Sequence, residues 1–251
     1  LAQDWQWWPL GLTHENLSGD TLYYNAEILG VVSSGTYAPF WLQSNCNGNI
    51  SASPYSGNIS AGINKPATQP KRWYDYDFAV QVTGRVQSDI PISFAPYMKT
   101  FTGYFNQLYA HFRLYIIDVT AGINPITYES IDPQLSSGSM IFSGNSQPLP
   151  RITIGIEDYI PFPGLYGYME LKGGITHAWM PDNVYIQGCR LHHKFVGFRF
   201  GGRLPVNISY EFHHAAEWGG ISPVYGDVGS DLKSFINVFT AQAGGTMVND
   251  Q

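Results

Sequence analysis

From Gln107 to Ile116 the chain alternates without a break. Leu108, Ala110, Phe112, Leu114 and Ile116 fall on one side, and Gln107, Tyr109, His111, Arg113 and Tyr115 on the other. Successive side chains point to opposite sides in an extended strand, so a period of two dictates β-structure. Four further stretches repeat the rhythm. Tyr24, Ala26, Ile28, Gly30 and Val32 oppose Asn25 and Glu27. Phe78, Val80, Val82, Gly84 and Val86 oppose Ala79, Gln81, Thr83, Arg85 and Gln87. Met169, Leu171, Gly173 and Ile175 oppose Glu170, Lys172, Gly174 and Thr176. Ile208, Tyr210 and Phe212 oppose Asn207, Ser209, Glu211 and His213. A last strand is expected near 235–243. The runs are about 9 to 13 residues long, beyond the five or six usual in soluble proteins and close to the length of a tilted transmembrane strand.

Alternation alone also suits a soluble β-sandwich. The discriminating feature is where the charges fall. Arg85, Arg113, Glu170, Lys172 and Glu211 all lie on the polar side, and the opposite side is almost uncharged. Only 13% of the 251 residues are charged while 15% are aromatic, and a water-soluble exterior needs about twice that charge. Lipid outside a polar interior removes the difficulty. The net charge of −6 and the lack of a Lys/Arg cluster exclude nucleic acid as a partner. No apolar run is long enough for a membrane-spanning helix. Cys46 and Cys189 stand far apart without a CxxC spacing, which leaves one disulfide or two free thiols open and points to no metal.

The punctuation fits a barrel plan. The stretches 201–205 and 160–164 read as short turns, and 123–150 and 218–233 as long loops. Residues 1–20, with Trp5, Trp7 and Trp8, form an N-terminal arm, and 21–251 the sheet. A turn centred near Gly202 would set His192 against His213 and Lys194 against Glu211, all on the polar, luminal side. Trp218 next to Glu217 has the make-up of a sugar platform, in which the ring stacks on a pyranose and the carboxylate accepts its hydroxyls. The alternative is a Trp at the membrane interface, as for Trp179. No pair of carboxylates is specified at the spacing of a glycosidase, and no GxSxG is present. Neither catalysis nor a cofactor is expected.

Three groups of residues carry a family resemblance: Tyr24-Asn-Ala-Glu27 with Gly30 and Ser33-Ser-Gly-Thr-Tyr-Ala-Pro-Phe-Trp41; Leu135-Ser-Ser-Gly-Ser-Met140 with Ser143-Gly-Asn145, Pro148 and Pro150-Arg-Ile-Thr-Ile-Gly155; and Ala216-Glu-Trp-Gly-Gly220. Together they resemble the capsule-assembly (Wzi-type) family, in its Bacteroidetes branch, from about residue 20 onward. The resemblance implies an all-β, antiparallel outer-membrane β-barrel of about 18 strands, of which nine or ten are represented here, as a fragment of the whole. It implies a multi-pass protein of the bacterial outer membrane that binds capsular or surface polysaccharide as a non-enzymatic lectin. Its surroundings would be membrane lipid and lipopolysaccharide, with other outer-membrane proteins as further partners. Glu217, Trp218, Arg151 and Asn145 are the expected saccharide contacts. The alternatives are a diffusion channel or accessory subunit of an outer-membrane complex, and a soluble β-sandwich binding module.

Overall fold

The computed structural model describes residues 21–68, 73–88, 101–125, 142–182, 185–202 and 204–242. The N-terminal arm with Trp5, Trp7 and Trp8, and residues 135–141 of the second motif, lie outside them. Nine long strands run in chain order through one antiparallel sheet: β1 (Tyr23–Val32), β2 (Tyr55–Lys65), β3 (Tyr74–Gln87), β4 (Phe101–Leu114), β5 (Ile117–Ile123), β6 (Pro150–Pro161), β7 (Met169–Trp179), β8 (Arg190–Phe200) and β9 (Ile208–Trp218). The fold is therefore all-β and antiparallel. The sheet is open: among the described residues no ladder joins β9 to β1. Two short strands, β10 (Ile221–Ser222) and β11 (Gly226–Asp227), pair with each other. Two helices, α1 (Phe40–Gln43) and α2 (Leu232–Phe239), lie in the connections.

Packing divides the chain into two compact units. The first comprises 1–72, 76–110 and 122–148, and the second 73–75, 111–121 and 149–251. In the first, Ile28 faces Ile59, which faces Gly84, and Ala26 faces Ala61, which faces Val82. On the other side Glu27 faces Ser60, which faces Thr83. Burial follows this division in reverse of a soluble protein: Ile28 is 82% exposed and Thr83 is fully buried. The connection 33–54 folds over the polar side and brings a small apolar cluster with it, in which Val31, Ala38, Cys46 and Ile50 are buried and Leu29 and Leu42 pack against them. Both cysteines are free thiols.

In the second unit the ladders run Arg151–Ala178–Leu191–Glu217, Thr153–Thr176–His193–Ala215 and Gly155–Gly174–Phe195–His213 on the polar side. The apolar side carries Ile154–Ile175–Lys194–His214, then Gly173–Val196–Phe212, Leu171–Phe198–Tyr210 and Met169–Phe200–Ile208. Connections 162–168 and 201–207 are short and lie at one end of these strands; 180–189 and the excursion after Trp218 lie at the other.

Three expectations are corrected. The alternation ending at Ile116 stops at Leu114, because Tyr115 turns the chain at φ 56°. The β8–β9 hairpin has Phe200 opposite Ile208, which places Lys194 opposite His214 and His192 opposite Ala216. Gly201 (φ 133°) and Gly202 (φ 55°) are both left-handed, and Gly201 N–H bonds to Tyr168 O, so the connection is longer than a turn centred on Gly202. A Cβ at Gly201 would meet Val206 O at 2.5 Å, so only glycine passes there. Finally, the stretch expected as a last strand near 235–243 is the end of helix α2 as far as Phe239, followed by a turn at 240–241. Asp231 caps it by accepting from Ser234 N–H at 2.9 Å, and Leu232, Phe235, Ile236 and Phe239 recur at helical spacing.

Candidate functional site

The polar side of β6–β9 holds a connected cluster built around Glu211. Lys172 on β7 and Glu211 on β9 both face Gly197 on β8. With no side chain at Gly197, the lysine crosses the intervening strand, and its Nζ lies 2.7 Å from Glu211 Oε1. A Cβ at Gly197 would stand 3.1 Å from the Lys172 stem and 3.2 Å from Glu211 Cγ. The Tyr159 hydroxyl donates to the same carboxylate at 3.2 Å. Its ring lies beneath Lys172 Nζ and the Arg199 guanidinium, 4.8 Å and 4.4 Å from the ring centre. The Arg199 guanidinium is in turn paired with Glu170. His213 Nε2 lies 3.2 Å from Glu211 Oε2, and His213 Nδ1 lies 3.0 Å from His193 Nε2. With protons on both Nε2 atoms, His193 donates to His213 and His213 to Glu211. The result is an aromatic ring edged by two cations, a carboxylate and two imidazoles on one sheet face.

A second cluster joins His111 and Arg113 to Asp118. Arg113 Nε lies 2.7 Å from Asp118 Oδ1 and its Nη2 lies 3.0 Å from Asp158 Oδ2. His111 Nε2 reaches the same Oδ1 at 3.0 Å, and Glu157 N–H donates to Oδ2 at 3.3 Å. His111, Asp118 and Glu157 are close enough to share a cation, but a metal there would have to displace the guanidinium from Asp118. The donor set fits an ion-paired carboxylate better than a metal centre.

In the first unit two distant connections are tied together. Asn145 Oδ1 accepts from Asn45 N–H at 2.9 Å, and Asn47 N–H donates to Gly144 O at 2.7 Å. Beneath them Arg85 donates to Gly48 O at 2.5 Å, Asn49 O at 2.9 Å and Asn58 Oδ1 at 3.1 Å, and also to the Tyr104 hydroxyl. Ser51 donates to Gln87 at 2.7 Å. Burial pushes the Cys46 thiol above its ordinary pKa, so it stays a protonated packing group.

The expected saccharide contacts do not form one constellation. Arg151 and Glu217 share a face and a ladder row, three strands apart, or about 14 Å. Arg151 is buried and Glu217 exposed. Asn145 acts as the loop tie just described. Trp218 is 7% exposed and faces away from Glu217. It is packed by Phe235 of α2 at 5.5 Å, His177 at 5.7 Å and the Arg190 guanidinium at 5.0 Å, so it is an anchor for α2, not an open stacking platform. The expected pairs His192–His213 and Lys194–Glu211 are not formed either. His192 and Lys194 point to the apolar side under α2, while His213 and Glu211 point to the polar side. The ion-pair partner of Glu211 is Lys172, reached across Gly197 of the strand between them. Comparison with known proteins gives no match to a family model, a curated protein or a solved structure.

Proposed function

We propose that this chain forms a wall of a bacterial outer-membrane β-barrel of the capsule-assembly type, and that its polar face binds surface polysaccharide without catalysing a reaction. The observation that carries the reading is the inverted burial. Thr83, Gln81, Lys172, His193 and Asp118 are among the most buried side chains, while Tyr24, Ile28, Val32, Ile59, Ile208 and Phe212 stand exposed. In water that arrangement exposes a large continuous apolar surface; in lipid it is the expected one. Open edges cannot persist in the bilayer, so on this reading further strands pair with β1 and β9.

Polysaccharide is favoured by the accessible edge of the Glu211 cluster, where the Arg199 and Glu170 side chains, 37% and 19% exposed, offer donors and acceptors to hydroxyls above the buried Lys172–Glu211 pair. The knitting of 33–54 to 142–147 over the polar side of β1–β3 favours an occluded interior over an open pore. The test is extraction of the full chain with and without detergent, followed by binding of the solubilised protein to polysaccharide from the producing cell and a liposome-swelling assay. Detergent dependence, retention on the polysaccharide and no sugar permeation support the proposal. Free permeation would replace it with a channel, and a detergent-free protein with a soluble binding module.

A further inference from the structure

The apolar side of β6–β9 is not apolar along its whole length. Its ionisable residues are His177, Arg190, His192, Lys194 and His214, and none is acidic. They occupy one end of the strands, in the rows Trp179–Arg190–Trp218, His177–His192–Ala216 and Ile175–Lys194–His214. The opposite side of the same strands carries both signs, with Arg151, Lys172 and Arg199 against Glu170, Glu211 and Glu217. The chain as a whole is acidic, at −6. The basic bias therefore belongs to this patch and does not follow from composition.

Helix α2 lies on the same patch. Phe235 packs on His177, His192 and Trp218 at 5.5–6.0 Å, and Phe239 on His192 at 5.7 Å. Leu232 and Ile236, on the adjoining part of the helix, are exposed, as is Lys233. The helix thus extends the apolar surface of the sheet outward and has a cation on its polar arc, the make-up of an interfacial helix. Lys194 donates to Phe239 O, at the end of α2, and Arg190 donates to Ser230 O at 3.4 Å, before its start. Each keeps further N–H donors, and neither has a carboxylate partner among the described residues. Of the nearby acids, Asp231 caps α2 and also interacts electrostatically with Lys233, Asp227 accepts from Gly229 N–H and Asp182 from Gly188 N–H.

We infer that Arg190, Lys194 and Lys233 form a contact for the phosphate groups of an anionic lipid at the membrane boundary. Cations on a lipid-facing surface cost least at the headgroup level. Trp179, in the same row as Arg190 and 43% exposed, is the kind of side chain expected at that level. The inference rests on the membrane reading and names the lipid chemistry met by this part of the wall.

The test uses the full chain in neutral detergent micelles. Phosphatidylglycerol or phosphatidylcholine is added, and retained lipid is counted by native mass spectrometry. Phosphatidylglycerol is expected to bind in preference. Lys233→Gln, on an exposed helix position that carries no packing load, should weaken it about fivefold, the effect of one cation at an anionic surface. Lys233→Arg should restore it. Equal retention of the two lipids, or a preference indifferent to Lys233→Gln and Lys194→Gln, overturns the inference while leaving the membrane reading intact. A chain that stays in solution without detergent overturns both.

Discussion

Replacing Glu211 by Ala removes one half of a buried pair and leaves the other half behind. Lys172 is 3% exposed and Glu211 10%, with 2.7 Å between Nζ and Oε1. Without the carboxylate, the ammonium is left over the Tyr159 ring 4.8 Å away, and Tyr159 and His213 each lose an acceptor. Leaving one member of a buried ion pair unpaired costs about 3–5 kcal/mol. Removing both charges together, as Lys172→Met with Glu211→Leu, should be nearly neutral, because the cost of desolvating the ammonium disappears with its partner. Denaturant unfolding of the three proteins in one detergent, followed by tryptophan fluorescence, reads both numbers. A Glu211→Ala protein within about 0.5 kcal/mol of the parent, or a double variant less stable than the single one, would refute a closed and buried pair.

Gly197→Ala reaches the same pair without touching a charge. The new methyl must displace the Lys172 stem or Glu211, and an unfolding midpoint lowered by the equivalent of about 1–3 kcal/mol is expected. Arg85→Met should release the connection 33–54, which that guanidinium holds at Gly48 and Asn49; limited proteolysis should cut there first while the ladders stay protected. Phe235→Ala should detach α2 and expose Trp218, seen as a red shift in its emission and faster quenching by iodide. The N-cap gives a pH dependence. Hydrogen bonds to Ser234 hold the Asp231 carboxyl below its ordinary value, so the cap is fully present above the unfolded carboxylate pKa and is lost as pH falls through the lower folded value. Protection of the α2 amides against hydrogen exchange should decline over that acid range, and Asp231→Ala should abolish the decline.

The sides of the strands were legible because a period of two leaves little choice. Ile28 and Val82 fall on one side of the sheet and Glu27 and Thr83 on the other, as their alternation requires. Register was not legible in the same way, since it depends on the number of residues spent in a connection. Two left-handed glycines and a bond to Tyr168 lengthen the 201–207 connection and bring Lys194 opposite His214 instead of Glu211. Helix α2 was hidden because a short run of aromatic and β-branched residues, Phe235, Ile236, Val238 and Phe239, also suits a strand. The cap at Asp231 and the recurrence of Leu232, Phe235, Ile236 and Phe239 at helical spacing decide for a helix. The pairing of Trp218 with Glu217 looked like a binding platform because the two are adjacent, yet neighbours in a strand face opposite ways. Here that sends the ring under α2 and the carboxylate to the polar side. The Lys172–Glu211 bridge needed three strands in register, which spacing along one chain does not encode.

The central claim is that the apolar side of the sheet faces lipid. Single cysteines at Ile28, Ile59 and Phe212, all exposed apolar positions, can be carried in a chain whose own Cys46 and Cys189 are buried. After reconstitution into vesicles, the account predicts that these sites resist a water-soluble maleimide. A fluorophore attached to them should be quenched by nitroxides on lipid acyl chains. Rapid maleimide labelling without quenching at all three positions would contradict it, and the exposed apolar side would then belong to a surface that meets something other than a bilayer.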